Sequence, residues 1–119
     1  MISRFLTARV RSIGHAVRGI FNLIGTQPNA QLHLAATVAV VITGYFLDLR
    51  PWEWAALLLC IGLVWVAESL NTALEFLADE VSQEHRHRIG RAKDVAAAGV
   101  LIAALISILV AGVILLNHF

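Results

Sequence analysis

Residues 67–79 read AESLNTALEFLAD and follow a twelve-residue run, Ala55–Val66, that carries no charge. On a helix at about 100° per residue, Glu68, Asn71, Thr72, Glu75 and Asp79 fall within roughly 100° of one another. They form a polar ribbon along an otherwise apolar rod, climbing about 16 Å from Glu68 to Asp79. With Asp79 at a membrane interface, Glu68 is well below it, where an ionisable group is costly unless it is paired or wetted. A chain keeps such a group where something binds. On these residues alone three uses stay open. The ribbon could be glue between helices, which Asn and Thr would supply more cheaply than carboxylates. It could be a proton or ion relay. It could also hold a divalent cation with phosphates on it while another carboxylate takes a proton from a hydroxyl, since Mg²⁺ is typically held by one or two carboxylates plus phosphate oxygens.

The flanking composition points to a membrane. The chain has 119 residues, the size of one domain. It is 59% apolar and 14% charged, and so small a soluble domain cannot hide that much apolar surface. The net charge of +1, with no basic run and no aromatic interleaving, excludes nucleic acid as a partner. Cys60 is alone, so there is neither an internal disulfide nor a cysteine metal cluster.

Along the chain, Ile2, Phe5, Leu6, Val10, Ile13, Val17, Ile20, Phe21 and Ile24 recur at helical spacing, with Arg4, Arg11 and Arg18 opposite. This predicts a basic amphipathic helix over 2–24 lying on an anionic membrane surface, not a signal peptide. Gly25 to Pro28 breaks it. The next apolar run, interrupted by His33, reaches spanning length if it starts at Asn29, giving a span over about 29–47. Asp48 to Pro51 predicts a tight turn, with Trp52 and Trp54 as an interfacial belt. A second span is expected over 53–79, a charged loop over 82–89, and a third span over 92–117, of which Val95 to Asn117 is uncharged. His118 reads as interfacial. The expected fold class is therefore all-α integral membrane, one domain over 1–119, with three transmembrane helices and a surface helix.

Eight of the nine Lys and Arg residues fall before the first expected span or between the second and the uncharged part of the third, leaving only Arg50 in the other loop. The positive-inside rule puts the amino terminus and the 82–89 loop in the cytoplasm. On that side, Gly90-Arg91-Ala92-Lys93-Asp94 opens the last helix. Arg91, Lys93 and a helix amino terminus suit phosphate. No Walker loop and no Gly-rich kinase loop occurs.

ESLNTALEFLAD followed by GRAKDVAAAGVL resembles the prokaryotic membrane diacylglycerol kinase family, which includes the undecaprenol kinases. Glu68, Asn71, Thr72, Ala73, Glu75, Asp79, Lys93 and Asp94 match its pattern, and the resemblance extends over essentially the whole chain. It implies a homotrimeric helical bundle in the bacterial cytoplasmic membrane that transfers the γ-phosphate of ATP to the hydroxyl of a membrane lipid alcohol, using Mg²⁺. By the same resemblance Glu68 is the general base, contacting the lipid substrate with Ala97. Glu75 and Gln27 are the metal positions, with Asn71 and Asp79 in support. His15, Glu84, His85, Arg86, Lys93 and Asp94 are nucleotide-contacting positions.

One position departs from the family pattern. Where the family supplies a second metal carboxylate this chain has Gln27, whose amide oxygen can coordinate Mg²⁺ without adding charge. The alternative is therefore a catalytically degenerate relative acting as a non-enzymatic oligomeric membrane protein. Asn29 and His33, Glu53 and Trp54, and the run from Lys93 to Ala97 are closer to the undecaprenol kinase branch than to the diacylglycerol kinases.

Overall fold

A computed structural model describes all residues, Met1–Phe119, as four helices: α1 (Ile2–Thr26), α2 (Pro28–Phe46), α3 (Pro51–Val81) and α4 (His87–Leu116). The punctuation is local. Gln27 is extended and is at once the C-cap of α1 and the N-cap of α2. Pro28 and Pro51 each stand at a first helical position, where a missing N–H costs nothing and the fixed φ favours the turn. Between α2 and α3, Asp48 takes a left-handed backbone (φ 54°), which a short polar side chain tolerates. The Glu53 carboxylate then accepts the Arg50 backbone N–H at 2.9 Å and caps the start of α3. The non-helical link between α3 and α4 is confined to Ser82–Arg86.

Helices α3 and α4 make an antiparallel hairpin. Its contacts run from Glu53–His118 at one end, through the Ser107 hydroxyl, which donates to the Ala103 carbonyl at 2.7 Å and lies 3.3 Å from the Cys60 carbonyl, to Asp79–Lys93 at the other. Near the Glu53 end, Leu49, Leu57 and Ile114 form a small core with Val40, Leu47, Trp54 and Val110 around it. Gly44 lets α2 approach closely there. A Cβ at that position would stand 2.9 Å from both Leu49 Cδ1 and Trp54 Cη2.

Only 12 of the 119 residues are buried, while Leu58, Leu59, Leu70, Leu101, Ile108 and Leu109 are among the many large apolar side chains left exposed. The flat shape, 51 × 47 × 21 Å, explains this: most helical faces have no protein neighbour. Water would not tolerate such a surface, and an apolar surrounding would.

The expectation of three transmembrane helices is corrected. Two helices, Pro51–Val81 and His87–Leu116, are long and apolar enough to cross a membrane. The helix over 29–47 does not qualify. Its 19 residues begin at Pro28, so Asn29, Gln31 and His33 occupy its first two turns and dilute the apolar run that starts at Leu34. Reaching spanning length required counting those polar residues, and they lower its hydropathy below that of a spanning helix. The apolar face of α1 contributes only Leu23 to the interior; Ile2, Phe5, Leu6, Val10, Ile13, Val17, Ile20 and Phe21 are all exposed.

Candidate active site

The polar ribbon of α3 is not uniformly solvated. Glu68, Asn71 and Thr72 are 1%, 6% and 4% exposed, turned against the rest of the chain, whereas Glu75 is half-buried and Asp79 is exposed. The ribbon thus passes from interior to surface along one helix face, as helical periodicity dictates.

Glu68 has few partners for a buried carboxylate. The Thr72 hydroxyl reaches its Oε1 at 3.5 Å, a long contact one turn away. The His33 Nε2 of α2 lies 3.4 Å from its Oε2, within ion-pair distance but not aligned as a hydrogen bond. Glu68 Oε2 and Asn71 Oδ1 consequently remain buried acceptors with no hydrogen-bond donor. Natural structures leave few such atoms, and each points to a missing partner.

Nearer the α3–α4 link, Lys93 Nζ meets Asp79 Oδ1 at 2.7 Å, and Glu75 stands one turn before Asp79 on the same face of α3. Asp79 and Lys93 are therefore brought together by the hairpin. Asp94 and Ala97 are exposed on α4. Glu84 and His85 lie in the exposed link, where the Glu84 N–H donates to the Ser82 hydroxyl at 3.2 Å, and Arg86 is the N-cap of α4. His15 is exposed on α1, its Nδ1 3.2 Å from an Arg18 guanidinium nitrogen. Gln27 is half-buried at the α1–α2 corner, its amide donating to the Thr26 hydroxyl at 3.1 Å. The neighbouring Gln31 amide donates to the Ile24 carbonyl at 3.1 Å and holds that corner closed.

Two cavities adjoin the ribbon. One of about 510 Å³ opens between α1 and α3 beside Gly19, Leu23, Ser69, Thr72 and Phe76. The other, about 220 Å³ and mainly apolar, runs from His33 and Thr37 past Val40, Leu57 and Ala104 to Ala111. Glu68 stands between them, next to Thr72 of the first and His33 of the second.

No cluster of three or more His, Cys, Asp or Glu side chains exists that could hold a metal ion unaided. The donor set still fits Mg²⁺ of the kind that arrives on a nucleotide. Such an ion keeps several waters and needs one or two protein oxygens besides the phosphates, and the orphaned Asn71 Oδ1 beside the ribbon is an oxygen donor in waiting.

Two buried contacts have no signature in the local sequence. His33, an interruption in an apolar run, is the nearest partner of Glu68. Glu53 is buried to 2% exposure, its two carboxylate oxygens 3.1 and 3.0 Å from the Nε2 of His118. A polar residue inside an apolar run was the available signal in each case, but not the identity of its partner.

These features define a membrane-associated all-α protein with one buried carboxylate, Glu68, in its polar ribbon and an exposed Asp79–Lys93 pair toward the end of the same helix. The chain belongs to the prokaryotic diacylglycerol kinase family, whose profile matches residues 14–115. It is 39% identical over 100 residues to an undecaprenol kinase of Bacillus subtilis, covering 84% of this chain and 81% of that one. To a diacylglycerol kinase of Synechocystis it is 37% identical over 106 residues, 88% of this chain but 61% of that longer protein. To the diacylglycerol kinase of Escherichia coli K12 it is 26% identical over 113 residues, 95% and 93% of the two chains.

Proposed function

We propose that this protein is a lipid kinase that transfers the γ-phosphate of ATP to the hydroxyl of a long-chain membrane alcohol, with undecaprenol preferred over diacylglycerol. The observation that carries the reading is Glu68, a carboxylate 1% exposed whose Oε2 lacks a hydrogen-bond donor. A lipid hydroxyl is a donor of the required kind. The preference for undecaprenol rests on the 39% identity to an undecaprenol kinase and on Asn29, His33, Glu53 and Trp54.

In the reaction, Glu68 Oε2 accepts the alcohol proton as the alcohol oxygen attacks the γ-phosphorus. The new O–P bond forms, the bond to the bridging oxygen breaks, and ADP leaves with that electron pair. Little covalent chemistry falls to the protein, so positioning and charge neutralisation carry the rate. Lys93, tethered by Asp79, and Arg86 at the N-cap of α4 offer cations to the phosphates, with His15, Glu84, His85 and Asp94 contacting the nucleotide. When bound, Mg²⁺ neutralises charge on the phosphates; Glu75 and Gln27 would hold it, with Asn71 in support. The apolar cavity below His33 and the exposed Ala97 suit the hydrocarbon of the substrate. Assembly as a homotrimer in the bacterial cytoplasmic membrane, with the amino terminus and the Ser82–Arg86 link on the cytoplasmic side, would cover part of the exposed apolar surface.

The neutral Gln27 is the one observation favouring a second reading, a non-enzymatic oligomeric membrane protein. Purified protein in detergent, supplied with labelled ATP, Mg²⁺ and either undecaprenol or diacylglycerol, separates the two. The kinase reading expects label in lipid, more with undecaprenol; no label in either lipid leaves the non-enzymatic reading.

A further inference from the structure

Helix α2 meets α3 through two polar contacts set side by side. His33 and Thr37 are one turn apart on α2, and Trp65 and Glu68 are one turn apart on α3, so each pair shares a helix face. The Thr37 hydroxyl donates to the His33 carbonyl at 2.7 Å, which spends its proton within α2 and turns a lone pair outward. The Trp65 Nε1–H donates to that same oxygen at 3.0 Å. The Trp65 ring, so anchored, stands edge-on to the His33 imidazole with centroids 6.4 Å apart. It limits where the imidazole can swing. Held there, His33 presents Nε2 to Glu68 Oε2 at 3.4 Å. No other charged or titratable group is paired with either side chain; the remaining contact of Glu68 is the long one from Thr72.

We infer that His33 is a positioning residue for phosphoryl transfer, fixing the direction of the Glu68 carboxylate, and that Thr37 and Trp65 lock His33 in place for this task. The inference rests on the reading of Glu68 as the base. A glutamate on an otherwise apolar helix face has freely turning side-chain bonds and only the 3.5 Å Thr72 contact to stop them. Its oxygen must nevertheless meet the alcohol within hydrogen-bond reach, and small misplacements of a reacting group are expensive in rate. His33 acts through Glu68 and takes no proton from the substrate itself.

The test measures kcat and the KM for ATP of purified protein in detergent with undecaprenol, for His33→Leu, His33→Gln and Trp65→Phe. His33→Leu removes the imidazole that faces the carboxylate and is expected to lower kcat by up to about 100-fold, leaving the KM for ATP unchanged. His33→Gln keeps an N–H donor of similar reach and should recover most of that loss. Trp65→Phe keeps a ring but removes the donor to Thr37, and should lower kcat in the same direction by less. In a Glu68→Gln background, His33→Leu should have no further effect. Wild-type kcat in His33→Leu, equal losses in the Gln and Leu variants, or a KM for ATP rising in step with the loss of kcat would each overturn the inference. If His33→Leu does not fold, judged by loss of helical circular dichroism, an unchanged kcat in Trp65→Phe overturns it alone. Full activity in Glu68→Gln would instead remove the base itself, a separate failure that the single variant reads directly.

Discussion

Lys93 Nζ lies 2.7 Å from Asp79 Oδ1, joining the end of α3 to the start of α4 across the Ser82–Arg86 link. The side chains are 36% and 64% exposed, so solvent screens the attraction, and an exposed pair of this kind adds little to stability. Its consequence is positional. Asp79→Asn should leave the melting temperature nearly unchanged and raise the KM for ATP several-fold, because Lys93 loses its tether. Lys93→Ala should raise it further. A melting temperature that falls sharply in either variant would recast the pair as structural.

Glu68→Gln keeps the volume and polarity of the side chain and removes its capacity to take a proton. We expect kcat to fall by about 10²–10⁴, the usual contribution of a general base, with the KM for ATP little altered. Steady-state assay with labelled ATP reads both numbers.

Gln27→Glu adds one unit charge at the α1–α2 corner. If the side chain faces the metal carried by ATP, the Mg²⁺ concentration for half-maximal rate should fall by roughly an order of magnitude, the scale of one partly screened charge. An identical Mg²⁺ titration would remove Gln27 from the metal site.

Gly44→Ala tests the close approach of α2 to the α2–α3 turn. The added methyl would stand 2.9 Å from Leu49 Cδ1 and from Trp54 Cη2, nearer than real Cβ contacts come. Both neighbours belong to the small core or pack on it, so one must move. The expected cost is about 1–3 kcal/mol, the range for overpacking a close-packed site, measured by thermal or chemical unfolding in detergent.

At the far end of the hairpin, His118 spans both oxygens of the buried Glu53 carboxylate. Removing His118 leaves the buried Glu53 carboxylate with the Arg50 N–H as its one remaining partner, and an under-partnered buried carboxylate is worse than a lost contact. His118→Ala should therefore lower the melting temperature more than Glu53→Gln in the His118→Ala background lowers it further. The kcat of the folded fraction should not change, since the pair is far along α3 from Glu68.

The class of the protein was legible in the sequence wherever the signal was local. The acid ribbon repeats at helical spacing, Pro28 and Pro51 mark helix starts by their own backbone geometry, and two helices are long and apolar enough to cross a membrane. The quoted motifs sufficed for the family, because the spacing between Glu68, Asn71, Glu75, Lys93 and Asp94 is itself sequence information. Counting spanning helices by run length failed at α2, where Pro28 starts the helix among polar residues and the run after them is short.

What only the tertiary structure decided is who meets whom. His33 stands 35 residues from Glu68 in the chain and Glu53 stands 65 from His118, yet each pair is in contact. Periodicity tells which face of a helix a residue occupies, but not which neighbouring helix that face will touch. That depends on the sharp corner at Gln27, the turn at Asp48 and the antiparallel closure of α3 on α4, each a property of the folded chain as a whole.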